Sequence, residues 1–156
     1  DDEAARRAFR RIAKAGEGQD FRGAVIYPMI EGAQEVLLGL SRDPQFGPVV
    51  AFGLGGIYTE VWQDVALRVA PIDRGEAEAM IREIEALPLL EGVRGQPRRD
   101  LDALADVLVA FSELPVRYPT LGEVDLNPVF LFEERDGLVI GDVRVILDKE
   151  TKERSS

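Results

Sequence analysis

Glu123-Val124-Asp125-Leu126-Asn127-Pro128-Val129-Phe130 and, a short loop later, Leu138-Val139-Ile140-Gly141-Asp142-Val143-Arg144-Val145-Ile146 decide the fold of this chain. Both stretches are rich in branched aliphatic residues and read as strands. Between them Glu133-Glu134-Arg135-Asp136-Gly137 carries an Asp-Gly step, a turn signal, so the two form a hairpin. That hairpin sets Asn127 opposite, or nearly opposite, Asp142. Asp142 stands in an apolar run, where an unpaired carboxylate would cost several kcal/mol. An amide oxygen and a carboxylate meeting at one place suit a hard cation such as Mg²⁺, and the cation in turn favours a polyphosphate ligand. The alternative is structural: an Asx turn before Pro128, and an ion pair between Asp142 and a nearby arginine. Strand alternation puts Glu123 and Asp125 on the Asn127 face, and three oxygen-bearing side chains on one face tilt the reading toward a site.

Working outward, the chain has 156 residues, 46% of them hydrophobic, enough for one domain or two small lobes with a real core. A formal net charge of −10 argues against a nucleic-acid surface, which normally shows a basic patch. There is no cysteine and no histidine. Disulfides, thiolate metal sites, a Ser-His-Asp triad and a phosphohistidine within this chain are therefore excluded. No apolar run long enough to span a membrane is present, and no signal peptide is visible. The expectation is a cytoplasmic protein. The sequence starts at Asp1 without a methionine, which suggests a piece of something longer.

An amphipathic helix is expected over residues 3–14, with Ala5, Ala8, Phe9 and Ile12 on one face. Strands are expected over 24–30, 35–40, 49–52 and 65–70. Asp73 begins a capping box with Glu76, opening a helix whose inner face carries Ala77, Met80, Ile81 and Ile84 and which stops before Pro88. Residues 89–98 read as a loop. A further helix over 100–114 turns Leu101, Leu104, Ala105, Leu108 and Phe111 inward. Hairpin-like connections outnumber crossovers, so the fold class is α+β with a mainly antiparallel sheet packed by helices. Residues 1–148 form the folded part, and 149–156 are a charged tail that frays.

Further candidates each have two readings. Gly53-Leu54-Gly55-Gly56 offers backbone N–H groups to an anion, or is a plain tight turn. It is neither a dinucleotide fingerprint nor a P-loop. Arg68 is an isolated cation among Val65, Ala66, Leu67, Val69 and Ala70: it contacts phosphate, or it pairs with an acid such as Asp142. Tyr27, Pro28, Met29 and Ile30 sandwich an adenine, or form a core strand. Glu35 meets ribose hydroxyls, or is a surface acid. Arg42-Asp43-Pro44-Gln45-Phe46-Gly47-Pro48 is too elaborate for a generic hairpin turn.

Taken together, Tyr27-Pro28-Met29-Ile30-Glu31-Gly32, the 42–50 stretch, Phe52-Gly53-Leu54-Gly55-Gly56-Ile57, Leu89-Leu90-Glu91-Gly92-Val93-Arg94-Gly95 and Glu123-Val124-Asp125-Leu126-Asn127-Pro128 resemble the ATP-grasp domain of NDP-forming acyl-CoA synthetases. These are the ADP-forming acetyl-CoA synthetase beta subunits and their fused relatives, kin to succinyl-CoA synthetase. The resemblance covers about residues 22–147 and implies the carboxy-terminal subdomain of an ATP-grasp fold. It implies an acid–CoA ligase that interconverts acid, CoA and ATP with acyl-CoA, ADP and phosphate, through a histidine in a companion domain. ATP or ADP and Mg²⁺ are the implied cofactors. Asn127 and Asp142 match the Mg²⁺ ligands, residues 27–30 the adenine segment, and Glu35 lies near the ribose. Gly55 and Gly56 with Glu60 match the segment facing the phosphates, and Glu60 and Arg68 are the candidate catalytic residues. The family's amino-terminal lobe, with its phosphate-holding lysines, and the CoA-binding and ligase domains are the implied partners. Alone, the chain is expected to be inactive. A non-catalytic nucleotide-sensing or partner-docking module is the alternative.

Overall fold

The computed structural model describes residues 1–55, 64–93 and 95–148. The chain divides into two units, Asp1–Glu31 and Gly32–Ser156. In the first unit, α1 (Asp2–Ala15) is capped by the Asp1 carboxylate, which accepts from the Ala4 N–H at 2.8 Å. Gly16 ends the helix, and Phe21 folds back on it, its ring 6.2 Å from that of Phe9. Phe21 Cδ2 would lie 2.9 Å from a Cβ at position 16, so the turn admits only glycine without a shift. The strand expected over 24–30 does not form. Residues 20–31 have no ladder, and Val25, Ile26, Tyr27 and Met29 are 71–86% exposed. Their apolar character marks neither a strand nor a core.

The second unit is an antiparallel sheet with helices on one face. Its strands are β1 (Gln34–Asp43), β2 (Gly47–Leu54), β3 (Val65–Val69), β4 (Leu121–Leu131), β5 (Leu138–Ile140) and β6 (Val143–Leu147). The order is β3-β2-β1-β4-β5, with β6 also on β4. Its helices are α2 (Arg74–Glu83), α3 (Leu87–Glu91), α4 (Leu101–Ser112) and α5 (Leu114–Arg117). Alternation along β1 and β2 buries Val36, Leu38, Leu40, Val50 and Phe52 against Ala77, Met80 and Ile81 of α2 and Leu104, Leu108 and Phe111 of α4.

Local chemistry places the helices. The Asp73–Glu76 capping box is formed in both directions. Pro88 does not only bound α2: it sits in the first turn of α3, where its missing N–H costs nothing, so part of the expected 89–98 loop is helical. Pro115 starts α5 in the same way. Buried Ser112 joins layers: its hydroxyl accepts from the Ile72 N–H at 3.0 Å and donates to the Val109 carbonyl at 2.7 Å.

The 42–48 motif is a hairpin tip after all. Asp43 pairs with Gly47. The Asp43 carboxylate accepts from the Phe46 and Gln45 N–H groups, and these bonds hold its pKa below the usual value. What made the motif look elaborate is Arg42, whose guanidinium reaches the Leu121 carbonyl at 2.7 Å and the Pro115 carbonyl at 3.1 Å. The motif therefore ties β1 to the start of β4.

Asp100 fastens the β4–β5 loop to α4. It is 8% exposed and caps α4 by accepting from the Ala103 N–H at 3.0 Å, and it also accepts from the Gly137 N–H at 3.0 Å. The bond from Ala103 lowers its pKa most, burial opposes it, and the backbone of Gly137 and Arg135 adds to the lowering. Replacing Asp100 by alanine removes a cap and orphans a loop donor, a loss of about 1–3 kcal/mol at neutral pH. Because the folded value is depressed, this contribution is complete above the unfolded value of about 4 and is lost as pH falls through the folded value. Urea unfolding of wild type and Asp100→Ala should show a gap at pH 7 that narrows below pH 4.

Candidate functional site

The two decisive stretches of sequence meet as expected, with one change. The second is not one strand but two, β5 and β6, interrupted at Gly141-Asp142. Its partner β4 is interrupted at the same level. Val36 pairs with Val129 and Leu38 with Leu126, so Asn127 and Pro128 together oppose Leu37 alone. This is a β-bulge on β4, a place in a sheet that tolerates a proline without a backbone donor. On the other side, Val129 pairs with Ile140 and Leu126 with Val143. Counting inward from both pairs, Asn127 stands across from Asp142 and Pro128 from Gly141.

Both polar residues belong to the face of the sheet away from the helices. Val124 and Leu126 are buried, whereas Glu123 and Asn127 are exposed and Asp125 half-buried. Asp142 is exposed too, so the desolvation cost expected for its carboxylate does not arise; it accepts from the Val143 N–H at 2.9 Å. The reason is β6, whose five residues are all exposed. Nor does Asp142 pair with Arg68. Arg68 reaches Glu83 of α2 at 2.5 Å and donates to the Leu67 carbonyl at 2.7 Å. Of the acidic row on β4, Glu123 is countered by Arg144 at 3.3 Å, and Asp125 faces Arg144 in the ladder.

Among the described residues, no three or more His, Cys, Asp or Glu side chains gather as a metal cluster. A cation between Asn127 and Asp142 would take one amide oxygen and one carboxylate from the protein. That donor set fits Mg²⁺, which keeps water and substrate phosphate in its octahedron instead of entering an all-protein cage.

The other candidates separate. Glu35 pairs with Phe130 on β4, with its side chain on the same outward face as Leu37. Gly55 is buried and its N–H donates to the Glu35 carbonyl at 3.0 Å. A Cβ there would sit 3.2 Å from the Glu35 backbone, so close packing on β1 already accounts for this glycine. Residues 27–30 lie in the first unit, exposed apart from a half-buried Ile30. Gly56 and Glu60 lie outside the described residues. Two larger cavities, about 540 Å³ beside α4 and β6 and about 580 Å³ beneath the 42–46 hairpin tip, include neither Asn127 nor Asp142.

Sequence reasoning missed Gly141. Its N–H donates to the Pro128 carbonyl at 2.8 Å, and a Cβ there would meet Phe130 Cε2 at 2.6 Å and the Pro128 oxygen at 3.0 Å. It lets the Asp142 strand approach the bulge. The available signal was a glycine inside a strand pattern. Asp64 was missed as well: its two carboxylate oxygens accept from the Glu85 and Ala86 N–H groups, both at 2.8 Å, and lock the end of α2.

A mainly antiparallel sheet packed by helices on one face is an architecture shared with ATP-grasp structures. The chain belongs to the ATP-grasp family: the model of an ATP-grasp domain matches residues 1–147. Among its relatives, the beta subunit of ADP-forming acetate–CoA ligase I of Pyrococcus furiosus is 46% identical over 150 residues, which cover 94% of this chain and 64% of that subunit. The ADP-forming acetate–CoA ligase I of Archaeoglobus fulgidus is 43% identical over 148 residues, 92% of this chain and 21% of the ligase. Among solved structures, the acetyl-coenzyme A synthetase 1 of Ca. Korarchaeum cryptofilum superposes with a TM-score of 0.78 at 37% identity, over 94% of this chain and 64% of that one. That structure holds coenzyme A and Mg-AMPPCP, with its phosphohistidine segment pointing towards the nucleotide site. The chain thus spans just under two thirds of the beta subunit it matches.

Gly141→Ala should destabilise the lobe by about 1–3 kcal/mol, the usual cost of overpacking. Chemical denaturation reads the loss. A control substitution at Gly137, whose added Cβ would meet nothing within 4 Å, should report backbone strain alone.

Proposed function

We propose that this chain is the nucleotide- and Mg²⁺-binding part of an ADP-forming acid–CoA ligase, which converts acid, CoA and ATP to acyl-CoA, ADP and phosphate. The observation that carries the reading is the bulge of β4, which puts Asn127 across from Asp142 on an exposed sheet face. Sequence kinship with ADP-forming acetate–CoA ligases supports it.

In this reading Asn127 and Asp142 would hold Mg²⁺, and the ion would supply charge neutralisation to the nucleotide's phosphates. Residues 27–30 run along the adenine, with recognition there by backbone groups. Glu35 meets the ribose. Gly55, Gly56 and Glu60 border the phosphates. Arg68, already engaged by Glu83 and the Leu67 carbonyl, is assigned to holding α2 on β3 in preference to phosphate chemistry. The chain has no histidine, so a phosphohistidine would be brought by a companion domain. Lysines that clamp the phosphates would come from the other ATP-grasp lobe, and CoA and acyl sites from the ligase domains. Phosphoryl transfer needs positioning and charge neutralisation from all of these, so the chain alone does not turn over. The reaction belongs in the cytoplasm, where ATP and CoA are held. Among the described residues no helix is long and apolar enough to cross a membrane.

Titration of Mg-ADP into the full-length ligase, with acyl-CoA-dependent ATP formation measured in parallel, tests the assignment. Asp142→Asn should weaken Mg-ADP binding about tenfold or more, equivalent to about 1.4 kcal/mol. Mg²⁺-free ADP should bind wild type and variant alike. Equal Mg-ADP affinity in the two proteins would remove Asp142 from the metal site. Binding without turnover by the full-length protein would favour a sensing module.

A further inference from the structure

The face of the sheet away from the helices carries Glu35 on β1, Glu123 and Asp125 on β4, and Asp142 at the break before β6. Among the described strand residues on that face there is one cation, Arg144. The other arginines of the strands, Arg42 and Arg68, serve the helix side, where they meet the Pro115 carbonyl of α5 and Glu83 of α2. Arg144 is two residues from Asp142 and on its face, a separation of about 7 Å along a strand.

Arg144 faces Asp125 in the ladder but does not pair with it: none of the ion pairs among the described residues includes Asp125. It reaches diagonally to Glu123 instead, by one contact of 3.3 Å, with the two side chains 67% and 54% exposed. So open an ion pair adds little to stability, and holding the sheet together does not account for the arginine. The opposite diagonal neighbour on β4 is Asn127. Diagonal neighbours stand about 7–8 Å apart, within reach of a long side chain. Arg144 already spans one diagonal, and a turn the other way carries the same guanidinium over the Asn127–Asp142 pair. The floor there is low. The row of Arg144 and Asp125 continues to Gly39 and Ala51, and a Cβ added at Gly39 would meet only the Ala51 Cβ, at 3.5 Å.

We propose that Arg144 is a phosphate-binding residue. Its guanidinium leaves Glu123 and docks on the β-phosphate of the nucleoside diphosphate whose Mg²⁺ is assigned to Asn127 and Asp142. The inference rests on that reading and adds to it the group that meets phosphate oxygens directly. A planar guanidinium fork fits phosphate geometry, and a face with four carboxylates needs a cation where a polyphosphate is to lie. Glu123 is then a competitor: it parks the guanidinium beside the site and gives it up when nucleotide binds.

The test uses the full-length ligase as wild type, Arg144→Gln, Glu123→Gln and the double variant. Mg-ADP binding, the KM for acyl-CoA and the melting temperature are measured. Arg144→Gln should raise the Kd for Mg-ADP about tenfold, with the KM for acyl-CoA unchanged and the melting temperature close to that of wild type. Glu123→Gln should do the reverse and tighten Mg-ADP about twofold to threefold, because it frees the guanidinium. In the Arg144→Gln background Glu123→Gln should have no further effect. A Kd for Arg144→Gln within about twofold of wild type would overturn the proposal. So would an equal tightening by Glu123→Gln with and without Arg144, which would report a general loss of negative charge. If Arg144→Gln fails to fold, Glu123→Gln decides: tighter Mg-ADP binding supports the proposal, and unchanged or weaker binding overturns it. A wild-type ligase that binds no Mg-ADP would instead overturn the nucleotide reading itself, and this inference with it.

Discussion

The two-for-one pairing of Asn127 and Pro128 against Leu37 is the constraint on which the rest of the second unit depends. Without the extra residue, β4 would keep a single alternation, and one half of it would turn its apolar side chains outward. With it, Val124 and Leu126 on one side of the bulge and Val129 and Leu131 on the other are all buried. The strand can then be long enough to serve β1 along one edge and β5 and β6 along the other. The same bulge that corrects the phase sets Asn127 across from Asp142. Core and candidate site are two results of one irregularity.

Around that strand, polar side chains act mainly as fasteners between layers. Arg42 ties β1 to α5 and β4, Asp64 ties the approach to β3 to the end of α2, and Ser112 ties α4 to Ile72. Arg74 joins α2 to α4 through Asp102 and Asp106 as well as pairing with Glu78 in its own helix. These last pairs are exposed, and each adds little by itself. The buried backbone-directed bonds matter more, because their loss would strand a donor or acceptor out of reach of water.

Much of this was legible in the sequence, for reasons that are local. The capping box of Asp73 and Glu76, the inner face of α4 and the Asp-Gly turn after β4 rest on contacts within a few residues, and all are present. Kinship with ATP-grasp domains was legible through the order of several motifs, not through any one of them. What was not legible depends on distant partners. Residues 24–30 have strand-like composition, but a strand needs a neighbouring edge, and none of the ladders includes them. Asp142 looked buried because its neighbours are apolar, yet burial is decided by what covers β6. Arg68 was a cation in need of an acid, and only the packing of α2 supplies Glu83 instead of Asp142. Gly55 read more readily as a plain tight turn than as a phosphate contact, and the close approach of the Glu35 backbone, a further reason for glycine there, is visible only in the fold. The motif of residues 42–48 was conspicuous because Arg42 spans to residues more than seventy positions away.

The split of the last ribbon into β5 and β6 has a dynamic consequence. Asn127 sits on a strand clamped by β1 over nearly its whole length, whereas Asp142 sits at the break between a three-residue and a five-residue strand, the latter exposed throughout. Segments with few buried contacts open locally at a fraction of the global free energy. Backbone amides around Asp142 should therefore exchange with solvent long before those of β4 facing β1. A cation held by both residues would fasten the loose side of the sheet to the firm one, and the ribbon would be most mobile whenever the metal is away.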